Sequence, residues 1–302
     1  MSNVFDAALN RQSSLEFAPL QFLALFKPYN SPKWGTLEDP TTGDINPAAL
    51  AGTTSIGNLS KSQGFALDNA TKTTKVATHG MGGPSRIIQT GRDLTFTIEA
   101  QEKKRLSLEL YFGVNLSGVV PTAKGGVSWD VPDLPIGVAH KVLFIAKDTT
   151  VTHGQDHYLA YKANKVMVDK VKAIKGTDGD IIAFGIDLMP MTDDGAVSAL
   201  SVEEFGPGWK PLNSVTDTGF FPVTSLTITP ATVTGTVGGT QALTVTDNNT
   251  FNVTDRASYA TSDPTKATVD TAGVVHYVAA GTATITALYR GVSATKTVTV
   301  TA

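Results

Sequence analysis

The chain contains no cysteine, which excludes disulfides and thiolate metal sites. It also lacks any apolar run near the ~20 residues that a membrane-spanning helix needs. The most apolar stretch, LEFAPLQFLALF at residues 15–26, is short and interrupted by Glu16, Pro19 and Gln21, and it reads as core. The opening MSNVFDAALNRQSS has no basic stretch followed by an apolar segment and a small-residue cleavage site. The expectation is a chain that stays where it is made and does not associate with a membrane. Neither sign of charge is in excess: 24 Lys and Arg against 27 Asp and Glu give a net charge of −3. That excludes the broad basic footprint of a protein that grips nucleic acid by releasing counterions.

What is present is a globular composition, 41% apolar and 17% charged over 302 residues, long enough for two cores at roughly 100–200 residues per domain. A break falls in GPGWKPLNSVTDTGFFP, where Gly206, Pro207, Gly208, Pro211, Gly219 and Pro222 gather. Proline fixes φ and glycine frees it, so this is linker chemistry. Composition changes across it: beyond Val223 only Arg256, Lys266, Arg290 and Lys296 are basic, tryptophan is absent, and Thr, Val, Ala and Gly dominate. The expected division is a domain at 1–205, a linker at 206–222 and a second domain at 223–302.

The second domain alternates apolar and threonine residues with the period of strands. Ala283, Ile285 and Ala287 share one face against Thr284 and Thr286, and Val298 and Val300 oppose Thr297, Thr299 and Thr301. Leu226 with Ile228, and Leu243 with Val245, repeat the pattern. Turn residues at Gly238-Gly239, Asn248-Asn249, Ser262-Asp263-Pro264, Ala272-Gly273, Ala280-Gly281 and Arg290-Gly291 separate the runs. About seven short strands in a small antiparallel sandwich are expected. The stretches SLTITPATVTGTVGGTQALTVT and YATSDPTKATVDTAGVVHYVAAGTATITALYRG resemble the bacterial Ig-like group 2 module. Tyr259 stands where that family more often has tryptophan.

The first domain reads as long strands with long connections. VLFIAKDT (142–149), DHYLAYKANKVMVDKVKAI (156–174) and DIIAFGIDLMPM (180–191) are rich in β-branched and aromatic residues. In KVMVDKVKAI the alternation breaks at Val168 and Asp169, which points to a bulge. A meander is the simplest arrangement. EAQEKKRLSLELYFGVN (99–115) fits a helix stopped by Gly113, but Leu106, Leu108 and Leu110 alternate well enough for a strand. Residues 27–61 are Pro-, Gly- and Thr-rich and longer than compact domains leave unstructured without a use, so they are the expected intersubunit arm.

No catalytic, cofactor-binding or metal-binding set is expected. His153 and His157 have the i, i+4 spacing of a metal pair on a helix, but Gly154 and the flanking strands favour an exposed turn. Gly80-Met81-Gly82-Gly83-Pro84 lacks the lysine and hydroxyl of a phosphate loop and reads as a flexible loop. Asp178-Gly179-Asp180 and Asp193-Asp194-Gly195 read as hairpin turns. Glu102, Lys103, Lys104 and Arg105 read as solvated surface, with Glu109 available for intersubunit salt bridges. Lys162, Lys165, Lys170, Lys172 and Lys175 read as edge-strand lysines that block unwanted pairing. No enzyme signature of the G-x-S-x-G kind occurs.

The order of strand DLTFTIEA, helix-like EKKRLSLELYFG, long strands ending in DIIAFGIDLMPMTD and an attached Ig-like module resembles the major tail tube proteins of long-tailed, lambda-like phages. That resemblance implies a virion protein with a β-sandwich or barrel and one helix. Its subunits would form hexameric rings, stacked into a tube that passes DNA and the tape-measure protein and meets a tail-terminator protein. It also implies assembly in the host cytoplasm, a neutral or acidic lumen, and an outward Ig-like module for weak contacts with host-surface glycans. The alternatives are a secreted or surface-layer adhesin, and a carbohydrate-active enzyme with an accessory module.

Overall fold

The computed structural model describes residues 15–77, 79, 82–149, 154–176, 178–179, 181–209, 211–212 and 218–302. The molecule is mainly β and divides into two compact units, one spanning residues 17–209 and the other containing residues 210–302.

The first unit contains strands β1 (Gln21–Pro28), β2 (Thr54–Ser55), β3 (Phe65–Ala77) and β4 (Pro84–Ala100), helix α1 (Arg105–Phe112), and strands β5 (His140–Thr149), β6 (Asp156–Val171), β7 (Phe184–Pro190) and β8 (Ser201–Phe205). Their order in the sheet is β2-β1-β5-β6-β7-β4-β3, with β8 added to β6. This is not a simple meander: β5, β6 and β7 follow one another, but β1 lies beside β5 and the β3–β4 hairpin joins through β7. The sheet curls until its ends meet. Residues 54–55 pair with β1, the Ile56 amide donates to the Ala24 carbonyl at 3.1 Å, and Leu59 bridges to Ala100 on β4. Closure gives the backbone groups along these strand edges partners that an open sheet would leave in water.

Alternation along β4 explains the interior: Phe96, Ile98 and Ala100 are buried while Thr97 and Glu99 between them are only half-buried. Phe144 of β5 lies at the centre, 4.4 Å from the Phe65 ring, 4.9 Å from Phe96 and 6.4 Å from Phe26. Leu110 of α1 joins this cluster. The helix reading of the 99–115 stretch therefore holds over Arg105–Phe112, and Gly113 ends it at φ 61° in the left-handed region. The bulge also lies where the pattern broke, with the β6–β7 register shifting between Val168 and Lys170.

β5 is buried on both faces because a second cluster covers its outside. Leu143 and Ile145 pack there with Leu25, Trp34, Leu37, Tyr158, Ala160 and Phe205. Trp34 and Leu37 come from the 27–61 segment, and the Leu37 amide donates to Glu203 at 2.8 Å. This corrects the expectation of an intersubunit arm: the segment folds back on its own barrel, drawn by apolar side chains spaced too irregularly to show a period. The stretch at 15–26 is likewise core only in part, since Ala24, Leu25 and Phe26 are buried but Leu20 and Phe22 are exposed.

The second unit is a sandwich of strands β9 (Leu226–Thr229), β10 (Val233–Thr236), β11 (Thr240–Ala242), β12 (Thr244–Asp247), β13 (Ser258–Thr261), β14 (Ala267–Val269), β15 (Val274–Tyr277), β16 (Gly281–Tyr289) and β17 (Val292–Thr301). The residues expected inside are there: Ile228, Leu243, Val245, Ala283, Ile285, Ala287, Val298 and Val300 are buried, with Leu226 packed against them. Tyr259 packs against this cluster and donates its hydroxyl to the Thr254 carbonyl at 2.9 Å, so the ring fills space and its polar tip is satisfied. One departure is topological. β10 runs parallel to β17, so the sandwich is not wholly antiparallel; the chain changes sheets after β9 and enters the second one beside its last strand.

All three tryptophans, at 34, 129 and 209, belong to the first unit, so their fluorescence reports its unfolding alone. Phe144→Ala is expected to destabilise that unit by about 3–5 kcal/mol in urea titrations followed by tryptophan emission. A change below about 1 kcal/mol would show that Phe144 is not the keystone of the barrel core.

Candidate assembly surface

β3 and β4 extend well past the barrel. β7 contacts β4 only from Phe96 to Ala100, whereas β3 and β4 pair with each other from Phe65–Ile98 out to Ala77–Pro84. Every described residue from Asp68 to Asp93 is exposed. The outer part is thus a two-stranded ribbon bare on both faces, and among the described residues neither of its outer edges has a strand partner. Register shifts at Lys72/Thr73 and Val76/Ala77 add local twist.

The ribbon carries Val76, Ile87 and Ile88 in the open. Its basic residues Lys72, Lys75, Arg86 and Arg92 outnumber the two acids at its base, Asp68 and Asp93. Lys72 pairs with Asp93 at 2.8 Å; Lys75, Arg86 and Arg92 make no ion pair among the described residues. Thr, Gln and Ser fill most other positions, which is why the sequence shows no apolar period here. The only signal was the length of DLTFTIE's upstream continuation and the Gly-Gly-Pro that precedes it.

A second bare segment follows α1. Residues 115–139 contain neither helix nor strand, yet they expose Val120, Val127, Val131, Leu134, Ile136 and Val138, Leu134 at 83%. Beside it lies a cleft of about 800 Å³ lined by Tyr111, Phe112, Ile136, Val138, His140 and Val171 among others. Burial holds the His140 imidazole below its ordinary pKa, and its hydrogen bond with the Val138 carbonyl opposes that shift. The charge of Glu109, which lines the same cleft, opposes it as well.

The residues singled out in the sequence have other local uses. His153 lies outside the described residues, as do Gly80, Met81 and Asp180. His157 does not sit in an exposed turn: it is the second residue of β6, is 5% exposed, stacks on Trp209 at 4.9 Å and meets Glu204 at 3.1 Å. Gly82 and Gly83 are exposed beside Pro84, the first residue of β4. Asp193 is more than a turn residue; buried, it accepts from the Tyr29 hydroxyl and pairs with Lys33 at 3.3 Å. Glu102 pairs with Lys104 at 2.9 Å and Glu109 with Arg105 at 3.6 Å, both inside the subunit.

The lysine series is also corrected. β6 is bordered by β5, β7 and β8, so it is not an edge strand, and its lysines are dispersed. Lys162 pairs with Glu203 at 2.5 Å and Lys172 with Glu99 at 3.9 Å, while Lys165 lies 5.5 Å from the Tyr29 ring. Two lysines that the sequence did not single out are more constrained. Lys27 and Lys141 face each other in register and both are buried. Desolvation, helped for Lys27 by its neighbour's charge, lowers both pKa values. Lys27 rests over the Trp34 ring at 3.8 Å, and Lys141 donates to the Tyr29 and Asn164 carbonyls. Among the described residues, no three His, Cys, Asp or Glu side chains cluster to hold a metal ion, and no helix is long and apolar enough to cross a membrane.

Residues 222–300 match the Bacterial Ig-like domain (group 2) family, in agreement with the sandwich of the second unit. No curated protein matches the chain. Among solved structures, a crystal structure of Hcp protein is 8% identical, covering 61% of this chain and 98% of that one at a TM-score of 0.25. The S-layer protein SbsC, domains 4 and 5, is 14% identical, covering 82% of this chain and 100% of that one, also at 0.25. Superpositions this loose do not establish a shared fold.

The Asp193 anchor has a pH signature. Its hydrogen bond from Tyr29, and then Lys33, hold the carboxyl below the ordinary range. The stabilisation is fully present above the unfolded value of about 4 and is lost as pH falls through the lowered folded value. The stability difference between the wild type and Asp193→Asn, from urea midpoints, is expected to be largest above about pH 4 and to shrink toward acid. A difference independent of pH would contradict this role.

Proposed function

We propose that the chain is a structural, non-enzymatic virion protein, the repeating subunit of a phage tail tube assembled in the host cytoplasm. The observation that carries this reading is the ribbon of β3 and β4. An isolated two-stranded hairpin is marginal in water, and its unpaired edges are templates for strands of another chain. Mounted on a closed barrel with its own core, it is best explained as an element completed by other copies. Copies joined edge to edge can close into a large barrel, which removes every free edge at once.

In such a tube, rings, six-fold in the family that the sequence resembles, stack around a channel. DNA and a tape-measure protein pass through it, and a tail-terminator protein caps it. The net charge of −3 suits a conduit that does not hold phosphates. The Ig-like domain would project from the tube, where many copies turn weak contacts with host-surface glycans into useful avidity.

Negative-stain microscopy of the purified chain tests this. Rings or tubes are expected from the full chain, and also from a chain truncated after Asn213. A chain whose ribbon is shortened by joining Asn69 to Leu94, its register partner, through a two-residue turn is expected to remain monomeric. Isolated monomers of the full chain at high concentration, or rings from the shortened chain, would overturn the reading.

A further inference from the structure

The ribbon and the segment after α1 are complementary. The segment is pinned at two places. Trp129 meets the Phe112 ring edge-on at 6.2 Å, and the Ile136 amide donates to the Gly113 carbonyl at 2.8 Å. Between these pins Asp130, Val131, Pro132, Asp133 and Leu134 are all exposed. From 127 to 138 there is no basic residue, and neither aspartate makes an ion pair among the described residues. The ribbon has the opposite character. Register pairs Val76 with Arg86 and Thr74 with Ile88, and side chains of one face recur at every second residue. One ribbon face therefore groups Val76, Ile88 and Arg86.

Resting on the self-assembly reading, we infer that residues 130–134 of one copy dock on the Val76–Arg86–Ile88 face of the ribbon of another copy. Val131 and Leu134 cover the exposed aliphatic side chains, and Asp130 and Asp133 flank Arg86, the arginine of that face. Pro132 and Pro135 lack the N–H of a strand ladder, so the contact is made by side chains and leaves the ribbon's edges free for strand pairing. Pro132 also stiffens the segment before it docks, which lowers the entropy lost on association. Both surfaces are exposed in the subunit that carries them, so the contact joins different patches of two copies. Repeated head to tail, such a contact generates a ring or an open helical stack. It also neutralises Arg86, so that the assembled surface presents one free cation fewer to DNA.

The absence of cysteine makes the test direct. Ile88→Cys and Leu134→Cys variants, each checked by circular dichroism for the wild-type spectrum, are mixed under assembling conditions and oxidised mildly. The mixture is expected to give a disulfide-linked dimer that neither variant gives alone, and the double variant a ladder of higher species. A second arm uses charge: Asp130→Lys with Asp133→Lys is expected to abolish assembly, and adding Arg86→Glu to restore it. Rings or tubes that form without the mixed disulfide, or charge reversal without effect, overturn the contact while leaving the tube reading intact. If the unmodified chain forms no assembly at all, both fail.

Discussion

Unpaired backbone is the constraint on which the molecule turns. Each strand edge carries N–H and C=O groups that must find partners or water. The barrel solves this internally by curling until residues 54–60 join β1 to β4. The same hairpin that supplies β4 to the barrel then runs on as a ribbon with nothing beside it. One strand thus belongs to two regimes: from Phe96 to Ala100 it is core, and before Asp93 every described residue is bare. Burial at one end fixes the register of the other, so the ribbon is held in place without a core of its own.

The same division shapes the rest of the first unit. Residues 27–61 close over the outside of β5 and β6, which makes the barrel wall thick on one side and places Lys27 and Lys141 in a half-dry setting. Apolar burial there outweighs the cost of two facing ammonium groups because Trp34, Tyr29 and backbone carbonyls solvate them locally. The ribbon and the segment at 130–134 are among the surfaces left uncovered. The proposed tube uses these two surfaces and leaves the rest of the unit to stability.

Much of this was legible in the sequence where period and burial coincide. The sandwich of the second unit could be read residue by residue, because one face is apolar and the other threonine; what escaped was the strand count, nine instead of about seven, and the parallel β10–β17 pair, since strand direction leaves no mark on alternation. Gly113 and the bulge at Asp169 were visible for the same reason, as local breaks in a pattern. The ribbon was not. A strand exposed on both faces has no apolar period, so FALDNATKTTKVA looks like a loop. The 27–61 segment failed in the opposite direction: its composition suggests a free arm, but Trp34, Leu37 and Ile56 each find a hollow in the barrel wall. The burial of His157 depends on Trp209 and Phe17, both distant in sequence, and spacing alone could not reveal it.

The dependence of assembly on the ribbon is most directly measured by amide hydrogen exchange in the free and assembled protein. Amides of residues 69–76 and 85–93 should exchange rapidly in the free subunit and become protected on assembly, while those of β5 stay protected in both. Ribbon amides that are already protected in the free subunit, or that stay unprotected in the assembly, would contradict the role given to the ribbon.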